Sequence, residues 1–237
     1  MVLLAGFTSR ATNFSHMAPR LLPNVSSVSI LDLPGHGDSD LPADGLTGES
    51  LHTGALAALS ALTEQPAVIF GNSVGGCLAL RHTLTHPQSV LGLGLASPFG
   101  AAMKTDEIDR LRELYQVTSH ADALDMVDRV FHAPPRWFRP VLAFFARRQI
   151  ARPELMNLLG SLTAEQTLDL DELTSLETPT QILWGQSDGV LPREHLAWFR
   201  RALPHAALIE PADYGHSPFM QQPADVADRV LDFIRGL

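Results

Sequence analysis

The stretch AVIFGNSVGGCLALRH, residues 67–82, sets a single serine, Ser73, among glycines, directly after an apolar run and directly before a pattern with helical spacing. An apolar run that breaks into glycine and resumes with a 3.6-residue period reads as strand, tight turn and helix. The pentapeptide Gly71-Asn72-Ser73-Val74-Gly75 fits G-x-S-x-G, a strained turn that lifts a serine hydroxyl above the end of a strand. Backbones crowd at such a turn, so small neighbours are needed there. A serine in an ordinary tight turn would satisfy the pentapeptide alone; the strand before it and the helix after it point to a nucleophile.

Outward from this turn, short apolar runs fall at residues 2–5, 28–32, 67–70, 90–96, 180–184 and 207–210. Helical patterns fall between them at residues 13–22, 49–62, 75–85, 193–203 and 224–237. This alternation predicts an α/β fold, a mainly parallel sheet of about six strands flanked by helices. Strand signals stop after Ser97, and four amphipathic segments follow near 106–116, 121–132, 135–149 and 153–163 before the sheet pattern resumes with PTQILWG. The expected division is a core of residues 1–97 and 173–237 with an inserted helical lid of residues 98–172 over one end of the sheet.

Composition narrows the chemistry. The 237-residue chain carries a formal net charge of −9, the wrong sign for phosphate backbones, so no nucleic-acid partner is expected. Its one cysteine, Cys77, rules out a disulfide within the chain and a Cys-based metal knuckle. The start MVLLAGFTSR has neither a basic region nor an apolar run of signal-peptide length, and no apolar stretch is long enough to span a bilayer. A cytoplasmic location and no membrane partner are the expectation.

A serine hydroxyl needs a neighbouring base, itself oriented by a third group. Asp188 lies in the loop of ILWGQSDGVLP and His216 in that of DYGHSPFMQQP, each after a different strand at the same sheet edge as Ser73. His216 would take the Ser73 proton and deliver it to the leaving group, while Asp188 would fix the ring's tautomer and steady its charged form. The bland readings are a turn former for Asp188 and a loop histidine for His216. Backbone N–H groups of Val74, at the helix start, and Phe7, in the loop AGFTSR, are the candidate oxyanion donors. Cys77 reads as a small buried hydrophobe. His82 and His86 have helical metal-pair spacing but lack the Glu of H-E-x-x-H and a third ligand, so no metal and no cofactor are expected. His36 reads as a turn residue.

With these residues in place, the chain resembles the α/β-hydrolase superfamily over essentially its whole length. LLAGFTS looks like the oxyanion loop, LDLPGHGDSD like the segment after the next strand, FGNSVGG like the elbow, WGQSDGVLP like the acid loop and YGHSPFMQQP like the histidine loop. Within that superfamily it is most similar to small capped esterases such as the pimeloyl-carrier-protein methyl esterases, and to enol-lactonases and carbon-carbon hydrolases. Two departures stand out. Relatives commonly read His-Gly where this chain has Ala5-Gly6, and the antiparallel strands that open many relatives are missing, which implies a smaller sheet.

The resemblance implies a serine esterase that forms an acyl-enzyme, acting on a small-molecule or carrier-linked ester. Phe99, Val190 and Phe219 are candidate pocket walls beside Phe7 and Val74. The segment RVFHAPPRWFRPVLAFFARRQIAR, residues 129–152, holds six arginines and no acid. It reads as a solvated amphipathic helix with its aromatic residues shared between lid core and pocket roof. The sharper reading makes Arg136, Arg139, Arg147 and Arg148 a docking site for an anionic substrate or acidic carrier. Two rivals stay open: a carbon-carbon hydrolase or lyase with the same three residues, and a catalytically silent binding protein of the same fold.

Overall fold

All six apolar runs become strands. A computed structural model describes residues 1–237, except for the side chain of Glu165. The strands β1 (Val2–Leu4), β2 (Ser29–Leu31), β3 (Ala67–Asn72), β4 (Val90–Ala96), β5 (Thr180–Leu183) and β6 (Ala207–Ile209) form one sheet in the order β2-β1-β3-β4-β5-β6. Every pairing is parallel. Because strand side chains alternate, the sheet divides its apolar residues between two cores. Leu4, Ile69, Leu93, Leu95 and Ile182 face one layer, and Leu3, Phe70, Ala96 and Leu183 face the other.

The first layer is closed by α2 (Gly48–Leu62), α3 (Val74–Thr85) and α9 (Arg193–Ala202), which bury Leu51, Leu59, Leu78, Leu196 and Phe199. The second is closed by α1 (Ala18–Leu21), α10 (Pro218–Gln221) and α11 (Pro223–Arg235), with Leu21, Phe219, Val226 and Val230 inward. The helix expected over 13–22 is broken into a 3-10 turn, Ala11–Phe14, and the short α1. Pro19 fits only the first turn of a helix, where no N–H is needed, so it forces a new start.

Between β4 and β5 lie α4 (Thr105–Tyr115), α5 (His120–Val130), α6 (Arg139–Ile150), α7 (Pro153–Gly160) and α8 (Leu170–Thr174). Four match the amphipathic segments of the sequence; the short α8 was not expected. Local chemistry fixes their starts. Ser119 caps α5 through the Asp122 N–H, and the Asp122 carboxylate accepts from the Thr118 and Ser119 N–H groups and the Thr118 hydroxyl. Those bonds pull the Asp122 carboxyl down to about 2. Pro140 and Pro153 open α6 and α7.

Among the aromatic residues around α6, Trp137, Phe138 and Phe144 correct the sequence reading, while Phe131 enters the lid core and Phe145 borders a cavity. Trp137 is 79 % exposed, Phe144 57 % and Phe145 62 %, whereas α6 buries only Ala143 and Ile150. Phe131 alone of this group enters a core, beside Val127 and Ala143. Spacing reveals that a helix has an apolar stripe; it does not reveal what the stripe meets.

Candidate active site

The strand order reverses between β1 and β3, which are neighbours while their chains leave in opposite directions across the sheet. Open parallel sheets form a crevice at such a point, at the carboxyl ends of the strands. Gly6 and Phe7 follow β1, and Ser73 follows β3, so this crevice holds the elbow. Ser73 has φ 53° and ψ −120°. Thr8 and Ser97, in the segments leaving β1 and β4, also hold positive φ, at 63° and 42°. Backbone strain therefore gathers at one edge of the sheet, where the surrounding packing must enforce it.

The elbow's glycines are needed for contact. A Cβ on Gly71 would lie 2.6 Å from the Gly75 carbonyl oxygen, and one on Gly75 would lie 2.6 Å from the oxygens of Leu4 and Ala5. One on Gly6 would meet Ser73 Cβ at 2.8 Å, so the β1 loop and the serine touch backbone to side chain. Among the described residues, the N–H groups of Phe7 and Val74 make no hydrogen bond, which leaves both as donors beside Ser73.

His216 Nδ1 lies 2.9 Å from Asp188 Oδ2, and both side chains are almost fully buried. Asp188 Oδ1 accepts from the N–H groups of Val190 and Leu191 at 2.9 and 3.1 Å. Burial would raise the Asp188 carboxyl, but the His216 ring and the Leu191 N–H outweigh it and hold the group below the usual carboxylate range. The other nitrogen, His216 Nε2, is buried without a hydrogen-bond partner among the described residues and shares a cavity with Ser73.

Two residues outside the sequence reading brace this arrangement. Buried Asn72 donates from Nδ2 to the carbonyls of Ala96 at 2.9 Å and His216 at 2.8 Å, and its Oδ1 accepts from Ser217 at 3.2 Å. It ties the elbow to the histidine loop. Tyr115, at the end of α4, packs edge-on against Phe7 with ring centroids 4.9 Å apart and lines the cavities on both sides of Ser73. Burial and the nearby Asp188 charge push its hydroxyl up, so it stays protonated.

The insertion is bonded to the same loops. The carbonyls of Arg129 and Val130, at the end of α5, accept from the N–H groups of Gly189 at 3.0 Å and His216 at 2.8 Å. His132 Nδ1 lies 2.7 Å from Ser187 Oγ, and Gln221 bonds both the N–H and the carbonyl of His132.

Ser73 sits between two cavities. One, of 340 Å³, is mainly aliphatic and runs toward α2 and α3; Phe99 and Val190 are among the residues that line it. The other, of 350 Å³, runs beneath α5 and α6, past Leu142 and Phe145. Phe219 lines neither. It stacks on Phe14 at 4.2 Å in the opposite core, while the next residue, Met220, faces the second cavity. The short α10, unseen in the sequence, turns Phe219 away. Arg136, Arg147 and Arg148 are exposed, and Arg139 is engaged by Asp128 of α5. His82 is buried inside α3 beside Thr63 and Ser89, stacked on His86.

A parallel sheet with a strained serine at its switch point, an acid and a histidine on neighbouring loops and a helical insertion between β4 and β5 defines an α/β hydrolase. The model of the alpha/beta hydrolase family matches residues 1–229, and the chain belongs to that family. It is 28 % identical to the pimeloyl-[acyl-carrier protein] methyl ester esterase of Aromatoleum aromaticum, covering 100 % of this chain and 98 % of that one. It is 26 % identical to Lipase 1 of Psychrobacter immobilis, over 98 % of this chain and 76 % of the relative. Among solved structures, 2-hydroxy-6-oxo-6-phenylhexa-2,4-dienoate hydrolase from Rhodococcus superposes with a TM-score of 0.87. The match covers 99 % of this chain and 89 % of the other at 20 % identity, a likeness of fold.

Proposed function

We propose that the chain is a serine hydrolase that cleaves a carboxylic ester through an acyl-enzyme. The observation that carries this reading is the buried His216–Asp188 pair, whose free ring nitrogen shares a cavity with a strained serine. Ser73 Oγ attacks the ester carbonyl carbon as His216 Nε2 takes its proton, and the negative charge on the carbonyl oxygen meets the N–H groups of Phe7 and Val74. The tetrahedral species expels the alcohol, which receives that proton from His216, and the acyl group stays on Ser73. Water then adds to the acyl carbon by the same route and frees the acid. Asp188 keeps the ring in the tautomer that presents Nε2 as acceptor. Nothing in these steps needs a cofactor.

The two cavities suit the two arms of an ester. The aliphatic one takes the acyl chain, and the one under α6 takes the alcohol side. Residues 98–172 act as the lid, over a core of residues 1–97 and 173–237. The relatives named as methyl ester esterases support a carboxylic ester as the bond cleaved. Exposed Arg136, Arg147 and Arg148, set beside bare aromatic rings on an otherwise acidic protein, support an acidic carrier joined to the arm that opens under α6.

The test is intact-mass measurement after fluorophosphonate treatment of the native chain and of Ser73→Ala, with turnover of p-nitrophenyl esters. One adduct on the native chain, none on the variant and a loss of roughly a million-fold in kcat are expected. An unlabelled native chain without turnover would move the weight to a ligand-binding protein, and turnover without a trapped acyl-enzyme to the carbon-carbon hydrolase reading.

A further inference from the structure

The cavity that runs from Ser73 toward α2 is apolar along its length and polar at its far end, and ester cleavage itself has no use for that end. Val74, Cys77, Leu78 and Arg81 line it at i, i+3, i+4 and i+7, so one face of α3 forms a wall leading away from the nucleophile. At 1.5 Å per residue, Arg81 lies about 12 Å beyond Ser73 along the helix, and helical side chains lean back toward the N-terminus. Leu51, Leu158 and Leu162 complete the apolar walls.

Arg81 is held in place from behind. Its Nη2 donates to the carbonyls of Gln166 at 2.7 Å and Thr167 at 3.1 Å, which uses two of the five N–H groups of a guanidinium. Beside it, His52 of α2 has its Nε2 buried without a hydrogen-bond partner among the described residues. Burial, with the Arg81 charge next to it, pushes the His52 ring down, which keeps it neutral. Glu49 also lines this end, from the exposed first turn of α2. A hydrocarbon tip arriving here would strip water from a guanidinium and an imidazole and give no bond in return.

We infer that this end is a subsite for a hydrogen-bond acceptor at the tip of the acyl chain, a carboxylate above all, so that half-esters of dicarboxylic acids are preferred to esters of plain alkanoic acids. The inference rests on the ester-hydrolase reading and names its acyl class. A planar guanidinium fixed by two carbonyls is preorganised for a carboxylate. A site built to hydrogen-bond one group also rejects the analogue that lacks it.

The experiment compares monomethyl dicarboxylates with methyl alkanoates of matched backbone length, using the purified chain, Arg81→Met and Arg81→Lys. The native chain should favour the half-ester by about ten- to a hundred-fold in kcat/KM at its best length, mostly through KM. That ratio should fall toward one in Arg81→Met and return in part in Arg81→Lys. Because Arg81 also braces the 166–167 turn, His52→Leu, which removes no bond to a backbone carbonyl, should lower the ratio several-fold if Arg81→Met fails to fold. A native preference for alkanoates at every length, or a ratio unmoved by either substitution, overturns the subsite. Alkanoate turnover with no preference fails the subsite alone, whereas no turnover and no adduct on Ser73 fails the hydrolase reading beneath it.

Discussion

Ser73, Asp188 and His216 announce themselves because each stands in a short motif at the end of a strand, and strand ends are what an apolar run marks best. Asn72 carries no such mark. Its contact with the His216 carbonyl joins residues 144 apart, which no local pattern encodes. Replacing it by alanine leaves the buried carbonyl of His216 without its donor, while that of Ala96 keeps the Ser73 N–H, at a cost of about 1–3 kcal/mol in stability. The larger effect should be kinetic. A histidine loop released from the elbow misplaces the base, so Asn72→Ala should lower kcat by about a hundred-fold with little change in KM. Steady-state kinetics beside a thermal melt checks this: a fall in Tm with kcat intact would make Asn72 a purely structural residue. Phe219 shows the reverse failure, since a phenylalanine three residues beyond the histidine looks like a pocket wall until α10 turns it into the core.

At the scale of elements, the strands and most helices are legible because burial imposes a period on the sequence. The exceptions are short. The helices α8 and α10 have five and four residues, too few for any period to repeat. The region around α6 is legible as a helix but not as a surface. Its bare rings and exposed arginines lie on or just before this one helix, whose Phe145 reaches the second cavity, and on the proposed reading this is the face a carrier would meet. Charge reversal with Arg147→Glu and Arg148→Glu should raise KM for a carrier-linked ester by about ten-fold, and more at low salt, since exposed charges steer encounter and are screened. Small neutral esters should respond far less. An equal rise for both substrates would remove the carrier from the account.

For the whole molecule, the sheet and its order follow from the alternation of elements, while the response to pH comes from contacts that only the folded chain makes. His82 is buried in α3, and desolvation, followed by the charge of His86, lowers its pKa to about 4. Burial lowers His36 and His195 as well. In the unfolded chain these rings take protons near pH 6.5, while the folded ones do not, so the unfolded state binds more protons below that pH. Stability should thus be full above about pH 6.5 and fall steadily toward pH 4. Thermal melts across that range, on the native chain and on His82→Gln, measure the effect. The variant should show a shallower decline, and an identical one would place the acid sensitivity elsewhere.

The bonds from Arg129, Val130 and His132 to Ser187, Gly189, His216 and Gln221 also constrain the order of assembly. They join the middle of the chain to segments 55 to 89 residues further on, so the loops that carry acid and base acquire their final shape only when the insertion has come down on them. Chain closure over such spans is slow beside helix formation. On the proposed reading, the site is complete only once the insertion has docked, so a refolding chain should regain its secondary structure before it regains ester turnover.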